Sequence, residues 1–112
     1  MKKNIIEVSG TKNKIEIDSK IISEQLNWDD AKKACEKLGE GWRLPTNKEL
    51  YDIYFASQIM GEKIGDFVIG DYWSSTEISE YFACSIEFES GVEDDDVHKE
   101  NEYYVCAVRD SK

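Results

Sequence analysis

The stretch Gly41-Trp42-Arg43-Leu44-Pro45-Thr46-Asn47-Lys48-Glu49-Leu50 joins two helix-forming segments through the only proline in the chain. A helix stop, an aromatic-plus-arginine anchor and a helix start follow one another within ten residues. Pro45 keeps Leu44 extended, because the proline ring clashes with a helical residue before it, and this blocks continuation of an upstream helix. Thr46-Asn47-Lys48-Glu49 then has capping-box spacing: the threonine hydroxyl accepts from the amide three residues on, and the glutamate reaches back. A second helix is therefore expected from Asn47 to between Ser57 and Met60, burying Leu50, Ile53 and Tyr54.

The first helix lies just upstream. Asn27 can cap it, and Trp28, Ala31, Cys35 and Leu38 recur at helical spacing with Ala34 beside them. Asp29 and Asp30 suit the positive end of the helix dipole and Lys37 the negative end. Gly39 and Gly41 supply the backbone conformations that end a helix. Before it, Ile5-Ile6-Glu7-Val8 and Lys14-Ile15-Glu16-Ile17 flank a polar turn and predict a hairpin, which Ile21 to Gln25 can extend.

After the helices the period changes to two. Phe67-Val68-Ile69 and Tyr72-Trp73-Ser74-Ser75 are short β-prone runs. Tyr81 to Phe88 alternates, with Phe82, Cys84, Ile86 and Phe88 on one face and Tyr81, Ala83, Ser85 and Glu87 on the other. Ser90-Gly91 turns the chain into an acidic loop, Glu89 to Glu102. Tyr103 to Arg109 closes as one strand, Tyr104, Cys106 and Val108 opposing Tyr103, Val105, Ala107 and Arg109. Strands, two helices, then strands is an α+β order without βαβ repeats. At 112 residues this is a single domain, 1–112, with N-terminal strands in 1–25.

Charge narrows the function classes. Residues 1–48 carry ten Lys/Arg against eight Asp/Glu, a net of +2, whereas residues 49–112 carry four against sixteen, a net of −12. Phosphate affinity comes from lysine and arginine, so direct nucleic-acid binding is excluded as an expectation. No apolar run approaches the roughly 18–20 residues of a membrane span. The apolar stretch after Met1-Lys2-Lys3 stops after two isoleucines, so no export signal is read. A cytoplasmic location is expected, or secretion if a leader has been removed.

Three segments together carry a family likeness: Trp28-Asp-Asp-Ala31 through Cys35 and Leu38, Gly41-Trp42-Arg43-Leu44-Pro45-Thr46 with Glu49-Leu50, and Tyr72-Trp73-Ser74-Ser75-Thr76. With Phe88, Gly91 and the terminal Val108-Arg109-Asp110, they resemble a bacterial family of C-type-lectin-like domains that includes the C-terminal domain of collagen-like bacterial adhesins. The likeness covers residues 26–110. It implies two helices packed on small antiparallel sheets, with the chain ends close together. Trp28, Trp42, Leu44 and Trp73 then become core or near-core anchors. Arg43 offers donors that can tie loop carbonyls together, and Ser74, Ser75 and Thr76 can cap turns. Members of that family commonly end in Val-Arg-Cys-Val-Arg, whose cysteine can bridge to the Cys35 position. Here Ala107 stands at that place and the cysteine is displaced to Cys106. Neighbouring strand residues face opposite sides, so three free thiols and no disulfide are expected.

No catalytic motif is present: no phosphate loop, no HExxH, no Gly-x-Ser-x-Gly and no paired CxxC. His98, the only histidine, lies in a solvated acidic segment, and the cysteines sit in apolar patterns typical of inert thiols. The chain is therefore not expected to be an enzyme or to need a cofactor. No metal is expected; Asp94 and Asp96 are the calcium candidates, but the proline-containing sugar-binding loop of C-type lectins is missing. The expected function is a binding module for a basic protein surface or a glycan. Its candidate contacts are Glu89, Glu93, Asp94, Asp95, Asp96, Glu100 and Glu102, with Tyr72 and Tyr81 as aromatic anchors. The alternatives are a phage or cell-surface assembly subunit, or an acidic inhibitor that mimics nucleic-acid charge.

Overall fold

A computed structural model describes residues 4–7, 14–18, 22–60 and 68–111. The elements are β1 (Asn4–Glu7), β2 (Lys14–Ile17), β3 (Ile22–Leu26), α1 (Trp28–Glu36), α2 (Asn47–Met60), β4 (Asp71–Glu77), β5 (Phe82–Glu87), β6 (Glu93–His98), β7 (Tyr103–Val105) and β8 (Val108–Asp110). They form an α+β fold with two sheets, one of order β1-β2-β8 and one of order β3-β7-β4-β5-β6. All described pairings are antiparallel except β4 with β7. Pairing of β2 with β8, Ile17 opposite Val108, brings the start and end of the domain together.

The five-stranded sheet is covered on both faces. Tyr72 and Trp73 are successive residues of β4 and so point to opposite sides. Tyr72 packs with Leu50, Ile53 and Tyr54 of α2, Ile15 and Ile17 of β2, and Ile86. Trp73 packs with Trp28, Ala31 and Cys35 of α1, and with Ala83, Val97 and Val105. The α2 residues expected to be buried are buried.

Both helix caps form as their chemistry dictates. The Asn27 side chain accepts from the Asp30 amide at 2.9 Å. The Thr46 hydroxyl accepts from the Glu49 amide at 3.2 Å, and Glu49 Oε1 accepts from the Thr46 amide at 2.9 Å. α1 ends at Glu36, earlier than its apolar spacing implied, and Leu38 lies in the following turn, 43% exposed. Gly39 and Gly41 take positive φ there, a region closed to most side chains.

Three expectations are corrected. Tyr103 to Arg109 is two strands, because the backbone leaves one sheet at Cys106-Ala107 and joins the other; the Ala107 carbonyl accepts from the Asp18 amide instead. Facing still alternates across the break: Cys106 and Val108 enter the core beside α2, whereas Val105 and Ala107 enter the core beside α1. Cys35 thus shares a core with Ala107 and not with Cys106, and all three thiols are free and buried. Second, Ile22–Leu26 does not extend the N-terminal hairpin but pairs with β7 in the five-stranded sheet. Third, the acidic segment is not a loop over Glu93–His98 but strand β6, paired with β5. Of the run Phe67-Val68-Ile69, Phe67 lies outside the described residues, and Val68 and Ile69 are exposed.

Candidate functional site

The motif residues form a seam that holds the two sheets and α2 together. Arg43 pairs with Val108 through both backbone groups, its amide donating to the Val108 carbonyl at 2.8 Å and its carbonyl accepting at 2.9 Å. Its guanidinium grips Glu49 with two nitrogens, at 2.6 and 2.9 Å, and Asp110 at 2.8 Å. The expected carbonyl ties are thus mainly carboxylate ties, with Leu44 the one carbonyl partner among the described residues, at 3.3 Å. The hydrogen bond to Glu49 holds the Arg43 pKa above its ordinary value. Burial works to raise the Glu49 carboxyl, but the Arg43 hydrogen bonds and the Thr46 amide outweigh it and keep Glu49 below the usual range.

The two halves of the likeness meet directly. The Ser75 amide donates to the Pro45 carbonyl at 2.7 Å, and the Ser74 hydroxyl donates to the Asn47 side chain. Trp28 Nε1 donates to the Ser74 carbonyl at 2.9 Å and Trp73 Nε1 to the Leu26 carbonyl at 2.8 Å. Arg109 lies over the Trp42 ring at 4.8 Å and pairs with Glu16. These groups are satisfied within the fold, so the seam is structural. Burial pushes the Cys35 thiol up to about 12, with Glu36 and Asp18 adding to it, and burial raises Cys84 and Cys106 as well. None of the three is poised as a nucleophile at neutral pH.

The surface candidates separate. Tyr72 is corrected: it is fully buried, and its hydroxyl donates to the Val68 carbonyl at 2.8 Å and accepts from the Val68 amide. It reaches no ligand surface because its β4 position faces the α2 core. Tyr81 is 59% exposed, and its carbonyl accepts from the Lys99 amide, which places it at the end of β6 away from Glu93. Glu89 stands in the turn before β6, and Glu100 and Glu102 in the segment after it, all exposed. Glu93, Asp94, Asp95 and Asp96 occupy β6 itself, the edge strand of its sheet, and are exposed.

A register shift in β6 draws its carboxylates together. Ser85 pairs with Asp94 and Ala83 with Val97, so β6 spends one more residue than β5 between the two pairs. Ligand atoms of Asp94, Asp95 and Asp96 lie within 4.8 Å of one another, all exposed. Hydrogen bonding to Asp94, together with its charge, raises the Asp96 carboxyl. Calcium takes about six to eight oxygens, so three carboxylates giving one oxygen each would leave the remaining places to water. His98 turns elsewhere, its Nδ1 accepting from the Glu100 amide at 3.2 Å and its ring meeting Phe82 edge-on.

The feature that the sequence did not reveal lies between α2 and the start of β6. Asn47, Lys48, Tyr51, Asp52, Phe55 and Glu93 line a groove of about 540 Å³. Tyr51 and Phe55 are 39% and 47% exposed, and their rings meet edge to face at 4.8 Å and 72°. The available signal was a second apolar stripe on α2, residues 51 and 55, beside the buried set at 50, 53 and 54.

The geometry defines an α+β domain whose sequence motifs build the scaffold and whose exposed acidic edge and aromatic groove lie apart from them. The Lcl C-terminal domain profile matches residues 8–109, and the chain belongs to that family. Comparison with curated proteins gives no significant match. Among the described residues no helix is long and apolar enough to cross a membrane.

Proposed function

We propose that this domain is a non-catalytic binding module on a C-type-lectin-like scaffold, and that it holds a basic protein surface through the acidic edge strand β6 and its flanking turns. The carrying observation is the row Glu93-Asp94-Asp95-Asp96, exposed along a sheet edge within the half of the chain that bears a net charge of −12. Acidic residues have poor strand propensity, and β6 buries only Val97 among its six residues. Those side chains therefore add little packing, and their common chemistry is a negative surface. The same charges keep another chain from adding to the edge without compensation, so a partner must bring positive charge. Lysine- and arginine-rich proteins meet that condition and nucleic acids do not. Three free, buried thiols accord with a reducing compartment, which favours a protein partner over an extracellular sugar. The C-type-lectin-like assignment draws support from the pairing of β2 with β8 and from two helices packed against mostly antiparallel sheets.

The test compares proteins captured from native lysate by the wild type and by a variant with Glu93→Gln, Asp94→Asn, Asp95→Asn and Asp96→Asn together. Basic proteins should be retained by the wild type, lost by the variant, and released as salt approaches roughly 1 M, where the Debye length is about 3 Å. Partners that bind both forms equally, or that ignore salt, would place the contact on another surface.

A further inference from the structure

Helix α2 presents aromatic surface that its core contacts do not use. Leu50, Ile53 and Tyr54 fill the buried side, whereas Tyr51 and Phe55 project into solvent. Residues four apart on a helix share one face, so the two rings make a single surface, packed edge to face. That surface borders the groove whose other wall carries Glu93. Contiguous apolar surface rimmed by polar groups marks a place where something binds.

Charge selects the occupant. Glu93 lines the groove, and among the described lining residues Lys48 is the one cation. The wall containing Glu93 continues into Asp94, Asp95 and Asp96, and Glu89 stands in the turn at the same end. Glu89 is fixed there because its carbonyl accepts from the Tyr54 hydroxyl at 3.1 Å. Aromatic faces carry a negative quadrupole, and a cation seated on them gains further from carboxylates nearby. Long cationic side chains also bury their methylene stems on apolar surface while the head stays polar. We infer that the groove between α2 and β6 is the anchor pocket for one lysine or arginine side chain of a basic partner segment. Its stem lies on Tyr51 and Phe55 and its head faces Glu93. This rests on the proposed basic partner and locates where that partner is gripped. A neutral sugar can stack on the rings but gains nothing from the acidic row that continues from Glu93. A second copy docking groove to groove would bring two acidic β6 rows together, since a two-fold interface uses the same surface twice.

The ¹⁵N-labelled chain titrated with octa-arginine and octa-lysine peptides tests the inference, with octa-glutamate and a neutral hexasaccharide as controls. The cationic peptides should shift the amides of Lys48, Tyr51, Asp52, Phe55 and Glu93. Replacing both rings, Tyr51→Ala with Phe55→Ala, should weaken them about tenfold, at roughly two- to fivefold per ring. The exchange Tyr51→Phe with Phe55→Tyr should retain binding, which separates ring chemistry from general disturbance of α2. Cationic peptides that shift only residues 94–102, with unchanged affinity in the alanine variant, overturn the pocket while leaving the acidic surface standing. Absence of cationic binding at low salt overturns both. Groove shifts with the hexasaccharide, or self-association abolished by the alanine variant in sedimentation, assign the groove to another occupant and overturn the inference.

Discussion

Glu49→Ala should cost far more stability than its one-turn position near the surface implies. The carboxylate accepts from both Arg43 nitrogens at 2.6 and 2.9 Å and from the Thr46 amide at 2.9 Å. Its side chain is only 11% exposed, and that of Arg43 is 36% exposed. Removing one partner of a fully buried pair costs about 3–5 kcal/mol, whereas an exposed pair contributes about 0–1 kcal/mol. With one partner buried and the other partly solvated, the expected loss is about 2–3 kcal/mol. For a domain near 100 residues that lowers Tm by roughly 10–15 °C. Urea unfolding followed by tryptophan fluorescence measures it. Asp110→Asn is the internal control, because Asp110 receives the same guanidinium but is 82% exposed, and its loss should be at most about 1 kcal/mol. Acid titration of the milder Glu49→Gln variant adds a sign test. Glu49 titrates below its ordinary value in the folded protein, so its contribution is complete above the unfolded glutamate pKa, about 4.3. The contribution disappears as pH falls through the folded value. The gap between wild type and Glu49→Gln should therefore shrink on acidification below about pH 4. Equal losses in Glu49→Ala and Asp110→Asn, or a gap that widens in acid, would refute the reasoning.

Gly91→Ala should destabilise by about 2–5 kcal/mol, combining a left-handed backbone penalty with overpacking. Gly91 has φ +76°, and an added Cβ would stand 2.6 Å from the Tyr54 ring. In a Tyr54→Ala background the cost should fall to the backbone part alone, which thermal melts of the four proteins will show. Thiol labelling of the native protein at pH 8 should be slow at Cys35, Cys84 and Cys106 and complete in denaturant; rapid native labelling of any of them contradicts their burial. Asp96→Asn should raise Tm or leave it unchanged at pH 7, because a carboxyl with a raised folded pKa disfavours folding when charged. That gain should vanish as pH falls and the wild-type Asp96 takes up its proton; a lower Tm at pH 7 is the contrary result.

The sequence was most legible where its chemistry is local. Pro45, Thr46 and Glu49 lie within five residues, and their capping geometry follows from spacing alone. Arg43 was harder, since its second carboxylate, Asp110, is 67 residues away and reaches it only through the pairing with Val108. The break between β7 and β8 was hidden because side chains keep alternating while the backbone changes sheets. Strand β6 was read as a loop because aspartate seldom forms strands, yet pairing with β5 and the burial of Val97 suffice to hold it. Tyr72 and Tyr81 looked equivalent in composition. Only the face each residue takes in the sheet made one a core side chain and the other a surface one.

That division bears on how a ligand surface can vary on this scaffold. The residues of the family likeness hold one another: Pro45 accepts from Ser75, Asn47 from Ser74, and Arg43 joins α2 to β8. Exchanging Ser74, Asn47 or Arg43 leaves a polar group unpaired in a largely buried seam, and the whole domain bears the cost. Glu93, Asp94, Asp95, Tyr51 and Phe55 carry no comparable obligation, because their side chains are exposed. The two sets still touch at one point. The capping box at Thr46 and Glu49 fixes the first turn of α2, and that turn supplies Asn47, Lys48 and Tyr51 to the groove. The seam therefore sets the position and rigidity of one groove wall, while β6 sets the charge of the other.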